Sequence, residues 1–310
     1  MKKILIFIFC SLFLFSCSWE KSTEKGLENT NSKKINITTS IVPLASITNY
    51  IWWEKVKVDS IVPVWISPHG FDLKAEQMVW IEKSDLIIYV WLEHIDWFLD
   101  KVISKEKSLK VSDWISLLEA QDHHDEEEWH EEENHQEEEH SIDWHIWTSG
   151  ENTKIIAEKI TQQLAKISPK NASLFQENYK NLVKEIDETI NNFKNEVSWK
   201  KINNFIIFHD AYNYLFKEIW VEQDKKHIFQ KSVLSDPNGK EMKELIDDIK
   251  NLNIKTAFKE PQLNDGNLQK LSNEYDIKIL ELNPLWNNTE ASWYIENLKN
   301  NLENLKNIYE

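Results

Sequence analysis

From Lys33 onward the chain alternates between short apolar runs rich in β-branched residues and longer segments whose apolar positions recur every three or four residues. The runs at 35–41, 56–62, 86–90 and 109–111 predict strands, and the segments 43–51 and 73–83 between them carry helical spacing. Strands that alternate with helices predict an α/β lobe built on a largely parallel sheet. Further on, Thr148-Ser149-Gly150-Glu151 reads as a helix start, followed by helical spacing over 152–167 with Ile155, Ile156, Ile160 and Leu164 apolar. Pro169 opens a second helical run to about Val197, whose stripe holds Leu174, Phe175, Tyr179, Leu182, Val183, Ile186, Ile190 and Phe193. Such a helix spans roughly 40 Å at 1.5 Å per residue, enough to pass from one lobe to another. A coiled coil is the alternative, but no strict heptad is sustained. Strand patterns at 205–208, 227–229, 254–258 and 277–282, with helices at 211–219, 239–251, 268–275 and 292–308, predict a second α/β lobe. The expected layout is a lobe over 35–168, a linking helix over 169–198 and a lobe over 199–310. Ligands of open α/β sheets bind beyond the carboxyl ends of the strands, so two such lobes face each other across a cleft.

One segment breaks this pattern. Residues 122–140 hold eleven acidic side chains and five histidines, with no Lys or Arg. Self-repulsion and low apolar content forbid a packed core there. Imidazoles at His123, His124, His130, His135 and His140, interleaved with carboxylates, make a loose multisite trap for divalent cations, and nitrogen donors favour zinc-like metals. The plainer alternative is an acidic solubilising linker. The formal charge of −16 is mostly this segment's −11, leaving −5 elsewhere, so nothing argues for a nucleic-acid partner.

At the amino terminus, Lys2 and Lys3 precede an apolar run from Ile4 to Phe15 and then Leu14-Phe15-Ser16-Cys17. The run has the layout of a cleaved signal, and the tetrapeptide resembles the bacterial lipobox, although Phe15 is bulkier than usual. Residues 1–17 are expected to be a lipoprotein signal ending at a lipidated Cys17, with 18–34 a polar tether; an ordinary secretory signal is the alternative. Cys10 falls within the removed part, which leaves no thiol for a disulfide or for cysteine catalysis.

Glycine occurs 5 times and tryptophan 15 times, together 20 of 310 residues and close to an ordinary glycine share of about 7%. Several tryptophans stand where a backbone favours glycine: Trp52 and Trp53 between a helix and a strand, Trp91 after a strand, Trp220 at a helix end, and Trp286 in a turn after Pro284. The pattern suggests UGA codons read as glycine in the source and written as tryptophan. A Trp-rich surface for sugars or membranes is the alternative.

Outside the acidic segment, His69 follows a strand in ISPHGFD, His145 lies in IDWHIW, and His209 ends a strand in IIFHDAY. A lone histidine is usually structural, but three at matching positions, one joined to a metal-attracting segment, point to a metal site. Three imidazoles favour zinc over manganese, which prefers oxygen donors. Asp210 is a candidate to orient an imidazole or to cap a helix. His94 and His227 have no motif that asks for a metal.

The blocks SPHGFDLKAEQ, IDWHIWTSG, FHDAYNYL and ELNPLWNNTEASWYIENL resemble the successive motifs of the zinc-binding substrate-binding proteins of ABC transporters, within their wider zinc and manganese cluster. The similarity runs from about Ile35 to the end, and NYIWWEKVKVDSIVPVWISPH and SDLIIYVWLEHIDWFLDK join it if their tryptophans are read as glycine. The resemblance implies two α/β lobes with parallel sheets joined by one long rigid helix, with metal in the interlobe cleft. It implies His69, His145 and His209 as ligands and an acidic, His-rich loop before the second of them. The family's frequent fourth ligand, an Asp before Pro-Leu-Gly, is here Asn283, which leaves water, Glu260 of FKEPQ, or a loop histidine for that place.

The expected function is an extracytoplasmic, lipid-anchored, monomeric receptor that captures Zn²⁺ as cargo and delivers it to an ABC permease and its ATPase. Alternatives are a manganese or iron receptor of the same family and a zinc buffer or adhesin without transport. A three-histidine zinc hydrolase is disfavoured because no general base with a substrate pocket is evident. The chain is therefore expected not to be an enzyme.

Overall fold

A computed structural model describes residues 34–52, 56–90, 99, 103–120, 142–232, 234–285 and 287–310. The acidic segment with its five histidines, Cys17 and the preceding signal, the tether up to Lys33, His94, Trp53, Trp91 and Trp286 lie outside the described residues.

The first lobe contains β1 (Ile35–Thr39), α1 (Val42–Ile51), β2 (Val56–Ser60), α2 (Ala75–Lys83), β3 (Leu86–Tyr89) and β4 (Ser108–Lys110). Its sheet has the order β2-β1-β3-β4 and is parallel throughout. All four residues of β3, LIIY, are buried, as in a strand covered on both faces. The second lobe contains β7 (Phe205–Ile207), α5 (Asn213–Glu218), β8 (Lys226–Ile228), α6 (Gly239–Leu252), β9 (Thr256–Lys259), α7 (Gly266–Tyr275), β10 (Lys278–Glu281) and α8 (Trp293–Leu305). Its parallel sheet runs β10-β9-β7-β8. Read from the other edge, that is second, first, third, fourth in sequence, the order of the first lobe. The two lobes share one topology as well as one element pattern.

Between them lie a two-stranded antiparallel hairpin, β5 (Leu118–Glu119) with β6 (Ile142–Asp143), then α3 (Gly150–Ile167) and α4 (Ala172–Val197). Two-residue strands give no readable alternation, so the hairpin had no signal in the sequence. Helix α3 starts where its composition predicts: the Ser149 hydroxyl accepts from Asn152 N–H, and the buried Glu218 carboxylate of α5 accepts from Gly150 N–H at 2.7 Å and Glu151 N–H at 3.2 Å. Two orphan donors of the helix end are thereby satisfied from the other lobe. Gly150 is needed for a close approach, because a Cβ there would stand 2.7 Å from Ile186 Cγ2 of α4.

Pro169–Asn171 forms a 3₁₀ turn, and α4 proper spans 26 residues, about 39 Å. Its buried stripe is Phe175, Leu182, Ile186, Ile190, Phe193 and Val197, while Leu174 of the expected stripe is exposed. The helix packs against α1, α3 and α8, so it touches both lobes. One core continues through both: Ile37, Ile47 and Ile88 belong to the same buried cluster as Ile186, Phe205 and Leu298. A second cluster, with Ile206, Phe208, Leu245 and Leu268, fills the far side of the C-terminal sheet. Polar ties reinforce the junction: Ser46 Oγ donates to Glu290 O, Asn49 Nδ2 to Thr289 O and Trp147 Nε1 to Pro284 O, each at 2.7 Å. A continuous core with buried cross-links resists hinge opening.

Trp65 (φ +68°) and Trp220 (φ +61°) adopt the left-handed conformation, and both rings are exposed. Trp52, by contrast, has φ −149° and packs its buried ring on Phe175.

Candidate metal centre

Each of the three histidines is delivered by a different local device. His69 follows Pro68 in a turn closed by Phe71 N–H to Pro68 O at 3.2 Å. Gly70 makes that turn possible with φ +72°, and a Cβ there would meet Leu234 Cδ2 at 2.8 Å. His145 comes two residues after β6 and enters the 3₁₀ turn Ile146–Thr148, where its carbonyl accepts from Thr148 N–H and Oγ1–H. His209 stands just past the carboxyl end of β7, as the topology of a parallel sheet favours.

The three meet between the lobes. His145 Nε2 lies 3.3 Å from His69 Nε2 and 3.3 Å from His209 Nε2, and one ligand atom from each residue falls within 4.8 Å of the others. Tetrahedral zinc with Zn–N bonds of 2.0–2.1 Å sets its nitrogens about 3.3–3.4 Å apart. The space bounded by Ser67, the three imidazoles, Glu260 and Leu285 admits about 10 Å³ to the centre of a water-sized sphere. That is room for one small ion and not for an organic substrate.

The far ring nitrogens explain which atoms face the centre. His145 Nδ1 pairs with Asp143 Oδ1 at 2.8 Å, and the His145 amide donates to the same oxygen at 2.9 Å. His209 Nδ1 pairs with Glu260 Oε1. With Nδ1 of each ring donating to a carboxylate, both imidazoles turn Nε2 inward. Two lone pairs 3.3 Å apart repel unless a proton or a cation lies between them. For His209, burial opposes the charged form, but the Glu260 carboxylate outweighs burial and holds the imidazole above its ordinary value. For Asp143, burial pushes the carboxyl up, and its bonds and charge interaction with His145 more than offset this, leaving it below the usual range.

Glu260 and Asn283, the two candidates for a fourth place, follow β9 and β10. Glu260 lines the centre and spends Oε1 on His209. Asn283 is buried beside it, its Oδ1 accepting from Gln262 Nε2 at 2.8 Å and Leu285 N–H at 3.2 Å, and its Nδ2 donating to Asn287 Oδ1 at 2.8 Å. Asp210 neither orients an imidazole nor caps a helix; its oxygens accept from Lys226 Nζ and Asn213 Nδ2. The orienting carboxylates are Glu260 and Asp143, and only the i, i+2 spacing of Asp143 and His145 in IDWH hinted at the latter. His227 is remote from the centre in its bonding, set between Asp248 Oδ2 and Asn204 Oδ1.

Two like-ordered α/β lobes fixed on one long helix, with three imidazoles converging in the cleft, define a two-lobed fold that carries a candidate metal site. The chain belongs to the family described as zinc-uptake complex component A, periplasmic, whose model matches residues 37–308. It is 26% identical over 314 residues to the high-affinity zinc uptake system protein ZnuA of Bacillus subtilis, covering 97% of this chain and 96% of that protein. It is 25% identical over 324 residues to the zinc-binding lipoprotein AdcA of Streptococcus pneumoniae R6, covering 99% of this chain. The chain spans 61% of that relative's length. The crystal structure of a ZnuA superposes with a TM-score of 0.74 at 22% identity, covering 89% of this chain and 99% of the other, a likeness of fold.

Proposed function

We propose that this protein captures Zn²⁺ outside the cytoplasm, in the site formed by His69, His145 and His209, and delivers it to an ABC permease driven by its ATPase. The observation that carries the reading is the pair of 3.3 Å Nε2 separations around His145, which match the edge of a tetrahedral zinc site. Membership in a zinc-uptake family and relatives named for zinc binding and zinc uptake support the choice of metal. Three nitrogen donors disfavour manganese.

In this reading Asp143 and Glu260 orient the imidazoles from behind, as carboxylates do at many zinc sites, and water completes the tetrahedron. The family is one of substrate-binding proteins rather than enzymes, and the small, closed centre suits retention of an ion. The segment 122–140 gathers zinc weakly and feeds it to His145, five residues beyond its end. A lipid on Cys17 tethers the monomer to the membrane. Among the described residues no helix is long and apolar enough to cross a membrane.

Titration of zinc into the chain lacking residues 1–17, with and without 122–140, tests the division of labour. One tight site is expected in both proteins, with several weaker ones lost on deletion. Absence of a tight 1:1 site in the longer protein overturns the zinc reading, and loss of that site on deletion overturns the division of roles.

A further inference from the structure

Behind the metal centre, five buried or half-buried polar side chains form a chain of hydrogen bonds that crosses between the lobes. It begins at His145, whose Nδ1 pairs with Asp143 Oδ1. The other oxygen, Asp143 Oδ2, accepts from Asn213 Nδ2 at 3.1 Å. The same amide nitrogen donates to Asp210 Oδ2 at 3.0 Å. On the opposite side of the amide, Asn213 Oδ1 accepts from Lys226 Nζ at 2.6 Å, and Lys226 also donates to Asp210 Oδ1 at 2.5 Å. The Lys226 side chain is 1% exposed.

This arrangement permits only one orientation of the Asn213 amide. Flipped, its oxygen would face two carboxylates and its NH₂ group would face an ammonium, so every contact would become repulsive. Lys226 therefore fixes Asn213, Asn213 fixes Asp143, and Asp143 fixes the proton and the rotation of the His145 ring. The neighbouring Tyr214 works on the backbone of the same place: its hydroxyl donates to Asp143 O at 2.7 Å and accepts from Leu118 N–H at 2.9 Å, holding the β5–β6 hairpin to α5. Asn213, Tyr214 and Lys226 belong to the C-terminal lobe, whereas Asp143 and His145 belong to the segment entering from the first.

We propose that Asn213 and Lys226 are positioning residues of the metal site: through Asp143 they hold His145 as the Nδ1–H tautomer, with its Nε2 lone pair aimed at the cation. The proposal rests on His145 being a zinc ligand. A ring free to rotate or to move its proton to Nε2 spends part of its time unable to bind, and affinity falls by that fraction. Neither residue touches the metal: Asn213 lies within the block FHDAYNYL, where only its histidine reads as a ligand, and Lys226 reaches the site only through the β7–β8 pairing.

The test compares wild type with Asn213→Ala and Lys226→Met, and with Asn178→Ala as a control that removes a part-buried bond from α4 to Ile51 O at the end of α1, outside the relay. Zinc affinity is read by chelator competition, thermal stability by unfolding, and the tautomer of His145 by ¹⁵N shifts of the metal-free protein. Both relay variants are expected to lose about tenfold in zinc affinity and to show a mixed His145 tautomer. The control is expected to lose stability with neither change. Asn213→Leu, which keeps the volume and drops the amide, replaces the alanine variant if that fails to fold. An unchanged affinity and an unchanged tautomer in a folded relay variant overturn the proposal. If wild type binds no zinc, the functional reading fails by itself, and the tautomer comparison still decides whether the relay holds the ring.

Discussion

Replacing His145 with alanine is expected to lower zinc affinity by at least about a hundredfold, more than any substitution behind the centre. Structural four-ligand zinc sites bind with roughly 10–16 kcal/mol, so an average ligand accounts for about 3 kcal/mol or more, and each 1.4 kcal/mol is tenfold. His145 should exceed the average, because its Nε2 sits 3.3 Å from both neighbours and is the shared corner of the site. Without it His69 and His209 remain as a pair, a weak site for zinc. His69→Ala also removes a ligand but leaves the carboxylate-supported pair His145 and His209, so its loss is expected to be the smaller of the two. Chelator competition measures both. An affinity within threefold of wild type for His145→Ala would remove this residue from the site. The unfolding midpoint of the metal-free variant should move little, since Asp143 keeps its bonds to the His145 backbone amide and to Asn213.

The upward shift of His209 gives this affinity a pH dependence of definite sign. Burial opposes the charge, Glu260 outweighs it and raises the imidazole above its ordinary value, so below that raised value zinc competes with a proton on the ring. Affinity is therefore full above the raised value and falls as pH drops through it, with protons released on binding at pH values just below. The same proton stabilises the metal-free fold below the unfolded value near 6.5, and that stabilisation is lost as pH rises through the folded value.

The alternation of elements was legible because β-branched runs such as Ile35 to Ile41 and helical stripes such as Leu182, Ile186 and Ile190 carry different periods. The three histidines were legible because two of them terminate or follow strand patterns and the third borders the acidic segment. The relay behind them was not. Asn213 and Lys226 are polar residues in ordinary helix and strand positions, and only folding brings them to Asp143, separated from Asn213 by 70 residues. The carboxylate that orients an imidazole was equally hidden: Asp210 adjoins His209 in sequence, yet Glu260, 51 residues away, holds the ring. Hydrogen bonds of this kind are set by topology, which a local pattern does not encode.

Among the described residues, two tryptophans in contrasting settings predict opposite outcomes. Trp147 is fully buried, its Nε1–H donates to Pro284 O at 2.7 Å across the lobe junction, and its ring stands 5.4 Å from that of His145. Trp147→Ala is expected to cost about 3–5 kcal/mol through the cavity alone, with a further loss from the stranded carbonyl. Trp220 is the reverse case, an exposed residue at φ +61° that follows the last turn of α5. Holding an L-residue there costs about 1–2 kcal/mol, which glycine avoids, while the Lys194 ammonium 4.5 Å from the indole contributes about 0.5–1 kcal/mol in return. Trp220→Gly is therefore expected to leave stability unchanged or slightly higher in urea unfolding, and Trp65→Gly, at φ +68°, likewise. A loss above about 1 kcal/mol for Trp220→Gly would show that the indole belongs where it stands. The gene supplies an independent check: UGA at positions 65 and 220 with UGG at 147 fits glycine at the two left-handed positions and tryptophan in the core, while UGG at 220 removes the case for recoding there.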